Sequence, residues 1–183
     1  MLKVVQHKLA GKRAQAGFTI IELLAALAIL AVLGTMVASA MVTGSRIMAT
    51  STATANASVL EQSIQTALSD TLRYASAHVP AGASSAENPS FDSDSFLDYA
   101  GSAVRDGRLG VEEGRIALNT ASGIQYVPKA AGIYTDFIVS DFQLNYDCAS
   151  NVFSATYTIS LPDGSYSRTG ECVCKSLVEE TYE

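Results

Sequence analysis

A single carboxylate interrupts the most apolar segment of this chain. Glu22 is the only charged residue between Phe18 and Val42, a run of 25 residues. An unpaired charge at the centre of a membrane-spanning helix costs at least ~2.5–3.5 kcal/mol. A carboxylate kept in such a place can offset that cost by pairing with a cation or by lying at a helix N-terminus. Glu22 is therefore the first candidate functional residue.

Charge is distributed unevenly along the chain. Residues 1–17 contain Lys3, Lys8, Lys12 and Arg13 and no acid, whereas the remainder contains 8 basic and 18 acidic residues, a net charge of −10. Basic residues beside an apolar span favour the cytoplasmic side, so we expect a cell-membrane protein with one span, whose acidic body lies outside the cytoplasm. An acidic body also argues against direct nucleic-acid binding.

The residues at the junction of the basic and apolar segments, Gly17-Phe18-Thr19-Ile20-Ile21-Glu22-Leu23, resemble the N-terminus of a type IV prepilin. That family includes pilins and the pseudopilins of secretion and DNA-uptake machines. The resemblance implies that a prepilin peptidase cuts between Gly17 and Phe18 and then methylates the new amine of Phe18. It further implies a surface filament as the product.

The same resemblance implies that Glu22 pairs with the N-terminal amine of a neighbouring subunit during assembly. Cleavage after Gly17 would place a cation at Phe18, one helical turn from Glu22, so the physics supports such a pair. Glu22 can also reach its own helix N-terminus, where a carboxylate is favoured by ~0.3–1 kcal/mol. Both roles can hold, one in the monomer and one in the filament. Gly17 itself leaves room for the peptidase to approach the backbone.

The partners implied by the resemblance are the prepilin peptidase, identical or related pilin subunits, assembly-platform proteins, and membrane lipid before assembly. No cofactor is implied. An alternative is a membrane-anchored extracytoplasmic binding domain that does not polymerise. A secretory signal peptide fits less well, since its apolar core is usually 7–15 residues long. No serine or cysteine has a credible histidine and acid partner, so we do not expect an enzyme.

Residues 18–42 predict a helix long enough to span a bilayer, which needs ~20 residues. Residues 43–79 predict an amphipathic continuation of this helix, because apolar residues recur at spacings of three and four. That apolar stripe comprises Leu60, Ile64, Ala67, Leu68, Leu72, Ala75 and Val79. We expect the helix to run to about His78 and to stop at Pro80.

Residues 80–183 predict a globular β domain. The exception is a short helix from about Ser95 to Val104. Alternation of apolar and polar residues then predicts strands. They comprise Arg115–Asn119, Ile124–Val127, Phe137–Tyr146, Val152–Leu161 and Tyr166–Cys174. The expected fold class is α+β, a long N-terminal helix packed on an antiparallel sheet of about four strands.

Three cysteines lie near the C-terminus. If Pro162-Asp163-Gly164 forms a hairpin tip, Val152 faces about Cys174 and Ser154 faces about Cys172. A disulfide from Cys148 to Cys172 or Cys174 is then reasonable, and Cys174 is the nearer. Such a bridge would resemble the C-terminal disulfide loop of many pilins. A three-thiolate metal site is the lesser alternative, since no histidine lies nearby.

Two further groups of charged residues are weaker candidates. Asp92, Asp94 and Asp98 lack the glycine and terminal glutamate of a calcium-binding loop, so we expect a solvated loop and no metal. A small basic patch is the other group, and it comprises Arg105, Arg108 and Arg115. These arginines are expected to be solvated or paired with Glu112 and Glu113 rather than to contact DNA.

Overall fold

The computed structural model describes residues 19–98, 100–129, 131–134, 136–178 and 181–182. The chain divides into two compact units after Met48. One helix, α1, spans Ile20–Leu72, so its first part belongs to one unit and its remainder to the other.

Helix α1 includes a stretch rich in serine and threonine that propensity alone would not make helical. Its hydroxyl groups donate to the carbonyl oxygen one turn earlier: Thr43 to Ser39 at 3.0 Å, and Ser58 to Thr54 at 2.9 Å. Such bonds satisfy the hydroxyls without leaving the helix. The predicted helical continuation through this stretch is therefore present.

The predicted end of the helix is wrong. Helix α1 ends at Leu72, and Ala75–Val79 forms strand β1 instead of a further helical turn. Ala75, Ala77 and Val79 are all buried. Positions four apart fall on one face of a helix and on one face of a strand alike, so the apolar stripe did not distinguish the two.

Nine further strands follow β1 within the part of the chain that the structure describes. They are β2 (Ser85–Glu87), β3 (Phe91–Leu97), β4 (Ala103–Glu112), β5 (Arg115–Thr120), β6 (Gly123–Tyr126), β7 (Ile138–Asp147), β8 (Val152–Ser160), β9 (Ser167–Lys175) and β10 (Thr181–Tyr182), with a 3₁₀ turn at Ala131–Ile133. Two sheets result where one of about four strands was expected. Strands β1-β3-β4-β5-β6 are antiparallel, with the two-residue β10 added in parallel to β1, and β2-β7-β8-β9 form the second sheet.

The predicted short helix from Ser95 to Val104 is also wrong. This stretch contains the end of β3, a turn, and the start of β4. The Asp98 carboxylate accepts hydrogen bonds from the backbone N–H groups of Ala100 and Ser102, each at 2.9 Å. Gly101 has a φ of 78°. A side-chain acceptor that captures local N–H groups competes directly with helix formation.

The β8–β9 hairpin forms as predicted, with a register that differs by one residue. Phe153 lies opposite Cys174 and Ala155 opposite Cys172, because the turn comprises four residues and Leu161 donates to Tyr166. Gly164 has the positive φ, 71°, that the predicted turn requires.

A single hydrophobic core fills the second unit. Helix α1 contributes the predicted stripe, of which Leu60, Ile64, Leu68 and Leu72 are at most 1% exposed. Both sheets contribute to the same cluster, for example through Phe91 and Phe153, whose rings meet edge to face at 6.5 Å. The amphipathic part of the helix is thus held by apolar burial, as the period of its sequence predicts.

Polar contacts fix the position of α1 along β9. The Arg168 guanidinium pairs with Glu61 at 3.0 Å, and the Gln65 side-chain amide donates to the carbonyl of Glu171 at 2.9 Å. Strand β9 is the edge of its sheet, so the Gln65 amide satisfies a backbone acceptor that has no neighbouring strand.

Truncation of the helix stripe is expected to destabilise this unit. Leu68→Ala should lower the free energy of unfolding by about 2–5 kcal/mol, because it removes apolar burial and leaves a cavity. Denaturant unfolding of the full chain in detergent, followed by tyrosine fluorescence, measures the change. Val59→Ala is the matched control, since Val59 lies on the same helix and is 59% exposed. Equal stability of the two variants would contradict the assignment of the stripe.

Candidate assembly site

The N-terminus of helix α1 is organised by Thr19 and Glu22. The Glu22 carboxylate accepts from the backbone N–H of Thr19 at 3.0 Å and from the Thr19 hydroxyl at 2.9 Å. The Thr19 hydroxyl oxygen in turn accepts from the backbone N–H of Glu22 at 3.3 Å. Two backbone N–H groups that have no partner within the helix are thereby satisfied.

This arrangement is a capping box, in which a threonine and the glutamate three residues later satisfy each other's backbone N–H groups. The capping box corresponds to the predicted interaction of Glu22 with its own helix N-terminus. It adds Thr19 to the candidate functional residues. The spacing Thr-x-x-Glu before an apolar run is itself a sequence signature, so Thr19 was identifiable without a structure.

An exposed apolar surface follows the cap within the first unit. Its residues include Ile20 at 81% exposure and Met41 at 71%. The helix contains an 18-residue window with a mean hydropathy of 2.5, and it is long and apolar enough to cross a membrane. Surface of this kind is stable only against lipid or other apolar surface.

The few polar side chains within the apolar segment are satisfied by the helix itself. The Thr35 hydroxyl donates to the carbonyl of Val32, and the Ser39 hydroxyl donates to that of Met36, both at 2.8 Å. An apolar environment offers no water to such groups, so internal partners make the segment compatible with lipid or with a packed helix bundle. Glu22 is the one group in the segment that keeps a net charge.

Gly17 and Phe18, the predicted cleavage site, lie outside the described residues. They directly precede Thr19, the first residue of the cap. Residues 12–38, which contain all of these positions, match the family model described as prokaryotic N-terminal methylation motif. The chain carries this motif. The methylation motif is the signature of type IV prepilin-like proteins, and it implies processing by a prepilin peptidase.

The motif accounts for Gly17, Phe18, Thr19 and Glu22 and for most of the apolar segment. No curated protein and no solved structure matches the chain. The motif and the apolar helix together are consistent with membrane anchoring. The globular unit therefore has to be interpreted from its own residues.

The cysteines do not form the predicted disulfide. No disulfide links Cys148, Cys172 and Cys174 in the part of the chain that the structure describes. Strand β8 lies between β7, which ends next to Cys148, and β9, which carries the other two. Two strand spacings amount to ~9–10 Å, whereas a disulfide requires Cα atoms within about 7 Å.

Cys172 and Cys174 belong to the core instead. Both are 6% exposed, and their sulfur atoms lie 3.7 Å from the carbonyl oxygen of Gln65 and 3.6 Å from that of Ser69, respectively. Burial raises the pKa of the Cys172 thiol to about 11. At neutral pH this thiol stays protonated, and a protonated thiol is a poor nucleophile and a poor metal ligand.

The three predicted aspartates and two of the three predicted arginines have identified partners in the structure. Asp92 lies 3.3 Å from the His78 ring, Asp94 pairs with Arg105, and Asp98 holds its turn. Arg115, predicted to be solvated or paired with Glu112 and Glu113, lies over the rings of Tyr126 and Tyr134, at 5.3 and 6.0 Å from their centroids. Within the part of the chain that the structure describes, no cluster of three metal-ligating side chains is found.

The thiols are expected to differ in reactivity. In the folded chain, iodoacetamide at pH 8 should modify Cys148, which is only partly buried, at least about tenfold faster than Cys172, whose thiolate is scarce at this pH. Peptide mass spectrometry after timed quenching measures the rates. Denaturation should make the modification rates of the three cysteines equal. Equal rates for Cys148 and Cys172 in the native state would contradict the burial of Cys172.

Proposed function

We propose that this chain is a structural subunit of a type IV pilus or pseudopilus. It is cut between Gly17 and Phe18, methylated at Phe18, and polymerised through its N-terminal helix. The observation that carries this proposal is the capped carboxylate of Glu22 at the head of an exposed apolar helix, within the methylation motif. The proposed role is mechanical and includes no catalysis.

The capping box supplies a physical reason for the position of Glu22. Cleavage would free the backbone amine of Phe18. This cation and the Glu22 carboxylate would then lie within about one helical turn of each other in the sequence. A carboxylate has about four acceptor sites, and two of them are used by Thr19. Glu22 thus retains capacity to accept from the amine of a neighbouring subunit.

Extraction from the membrane is tolerable under this proposal. Neighbouring helices can replace lipid around the same apolar surface, so little apolar area becomes exposed to water. The carboxylate gains a charged partner in the same step, and a paired charge in apolar surroundings costs much less than an isolated one.

Two substitutions separate the capping role of Glu22 from its role as a charge partner. Glu22→Gln keeps a side chain that can cap the helix, since glutamine also serves at this position, but it removes the negative charge. We expect Glu22→Gln and Glu22→Ala to reduce filament yield alike, by more than about tenfold, because each leaves the amine of the neighbour unpaired. Sheared filaments are quantified by sedimentation and electron microscopy.

Thr19→Ala is the control for the cap, because it removes the hydroxyl and keeps the carboxylate. It is expected to form filaments at a yield closer to that of the wild type than either Glu22 variant. Normal filaments from Glu22→Gln would mean that the cap alone matters. If the processed wild-type chain remains in the membrane fraction, that result would favour the alternative function, a membrane-anchored binding domain that does not polymerise.

Processing is tested at Gly17. Gly17→Val is expected to leave an unprocessed precursor in cells that contain the peptidase, since a side chain there crowds the scissile bond. Gly34→Val is the matched control, because beyond its chain neighbours and the backbone of its own helical turns no atom lies within 4 Å of the position that its Cβ would occupy. Immunoblotting and N-terminal mass spectrometry distinguish the unprocessed precursor from the mature chain. A mature-sized, methylated product from Gly17→Val would refute the cleavage site.

A further inference from the structure

One edge of the second sheet is open along a whole strand. Strand β9 has nine residues and pairs with β8 on one side, and no described strand pairs with its other side. The strand at the opposite edge of this sheet, β2, has only three residues. A long open edge presents backbone groups that can pair with another extended chain, and proteins usually shorten or cover such edges. Strand β9 is therefore a candidate interaction surface.

The hydrogen bonds at the two ends of the β8–β9 hairpin identify the residues that face this open edge. Leu161 donates to the carbonyl of Tyr166 at 3.0 Å, and Ser176 donates to that of Asn151 at 2.9 Å. Opposed residues of an antiparallel pair alternate between hydrogen-bonded and non-hydrogen-bonded pairs, so counting from either end gives the same assignment. The backbone groups that point away from β8 belong to Thr169, Glu171, Val173 and Lys175.

A groove runs beside the open edge, between strand β9 and helix α1. It has a volume of about 450 Å³, within the ~300–1,000 Å³ that is typical of ligand sites. The Gln65 amide crosses it and donates to the carbonyl of Glu171 at 2.9 Å, so a donor from outside the sheet already satisfies one acceptor of this edge. Its lining includes Thr66, Ser69, Asp70 and Arg73 from the helix, and Glu171 and Val173 from the strand.

The remaining backbone groups of the edge define the class of ligand. Within the described residues, the N–H groups of Thr169, Glu171 and Val173 have no hydrogen-bond partner, and neither does the carbonyl of Val173. These groups recur at every second residue, which is the interval at which a neighbouring antiparallel strand pairs. An extended peptide backbone presents the complementary row of acceptors and donors.

Side chains on the outer face of β9 specify the partner further. Glu171 and Lys175 carry opposite charges on either side of Val173, which is 62% exposed. Cross-strand pairs are stabilising when they are apolar or oppositely charged, and like charges are destabilising. An antiparallel partner therefore needs an acid opposite Lys175, a β-branched residue opposite Val173, and a base opposite Glu171. Its intervening residues would lie on the side of helix α1, where small polar side chains fit beside Ser69.

A second copy of β9 satisfies the same side-chain pattern, because Glu171, Val173 and Lys175 are complementary to themselves in antiparallel pairing. The helix side of β9 is already covered, however. The sulfur atoms of Cys172 and Cys174 lie 3.7 and 3.6 Å from carbonyl oxygens of helix α1. Two paired β9 edges would bring two such helices to one face of the sheet, side by side over adjacent strands. Strands lie ~4.8 Å apart, whereas packed helices need 8–10 Å. A free extended segment meets no such obstacle.

We propose that the open edge of β9 binds an extended segment of a partner protein as an added antiparallel strand. The segment carries an acidic, a β-branched and a basic residue at alternate positions, in that order. Its backbone pairs with Thr169, Glu171 and Val173, and its outer side chains pair with those of β9. The surface lies in the globular unit and does not involve Glu22, so it is independent of the proposed filament assembly.

The test is hydrogen–deuterium exchange mass spectrometry on the full chain in detergent. The probe is the synthetic peptide acetyl-Thr-Glu-Ser-Val-Ser-Lys-Thr-amide at millimolar concentration. It is expected to slow exchange in residues 167–175 several-fold, because it pairs N–H groups that are otherwise open. Strand β2, at the other edge of the same sheet, is the internal reference and should not change. A control peptide with proline in place of valine lacks the central N–H and should have no effect.

Val173→Pro and Val173→Thr are the matched variants. The N–H of Val173 points away from β8, so proline removes no hydrogen bond of the existing sheet, but it removes one to the peptide. Titration of fluorescent peptide should show binding weakened about fivefold or more. Val173→Thr keeps the N–H and the β-branched shape, and it should bind more nearly as the wild type does. Circular dichroism melts verify that both variants fold.

An exchange of charges tests the register. Glu171→Lys should weaken binding of the original peptide, because two cations then face each other. A peptide with glutamate in place of its lysine should bind Glu171→Lys better than it binds the wild type. Glu87→Lys makes the same change on exposed Glu87 of strand β2 and should not invert the preference. Absence of the inversion in Glu171→Lys would contradict the antiparallel register.

Three outcomes would overturn the proposal. The first is unchanged exchange in residues 167–175 of the wild type. The second is equal binding of the peptide by Val173→Pro and by the wild type. The third is dimerisation of the wild type in sedimentation velocity that Val173→Pro abolishes, which would assign the edge to a second copy of this chain.

Discussion

The structure of the first unit depends on how a helix N-terminus and a carboxylate satisfy each other. The first N–H groups of any helix lack partners, and a carboxylate in an apolar segment lacks solvation. Thr19 and Glu22 resolve both problems with three hydrogen bonds. Once these bonds form, the rest of the apolar segment needs only internal partners, which Thr35 and Ser39 find in their own helix.

The globular unit depends on a different device, burial of one helical stripe against two sheets. Leu60, Ile64 and Leu68 are completely buried, and the ion pair of Arg168 with Glu61 sets the helix along β9. Polar groups that the core encloses are mostly satisfied. The Tyr134 hydroxyl donates to the carbonyl of Val127, and burial raises the pKa of Tyr134 to about 12, which keeps the hydroxyl a donor at neutral pH. Gln125 departs from this pattern, since neither of its amide atoms has a hydrogen-bond partner in the described structure.

The sequence did not predict that Asp98 and Gln125 line one cavity. Nothing in the spacing of Asp98 and Gln125 relates them, since a hairpin and two turns lie between. Even the alternation within β6 places a polar residue at the buried position opposite Leu118. The two side chains line one cavity only because β6 pairs with β5 and the Ser122 hydroxyl donates to Asp98.

The spacing of apolar residues predicted helices and strands well where it fitted only one of the two periods. The strands from Ile138 onward and the stripe of helix α1 follow their alternation and their three-and-four spacing. Prediction failed at Ala75–Val79, where the apolar spacing fits a helix and a strand equally well. It also failed at Asp98, whose carboxylate accepts hydrogen bonds from nearby backbone N–H groups. It also missed strand β4 and its turn into β5, where Glu113 and Gly114 both adopt positive φ, the type I′ geometry that a two-residue hairpin loop requires.

The sequence by itself determined the N-terminal methylation motif of this protein. Thr19 and Glu22 lie three residues apart at the start of one helix, so their spacing along the chain is also their spacing in space. Only the tertiary structure decided the rest: two sheets in place of one, no disulfide among the described cysteines, and the burial of Gln125. Each of these depends on which strands are neighbours, and strand order is set by long-range packing that no local period records.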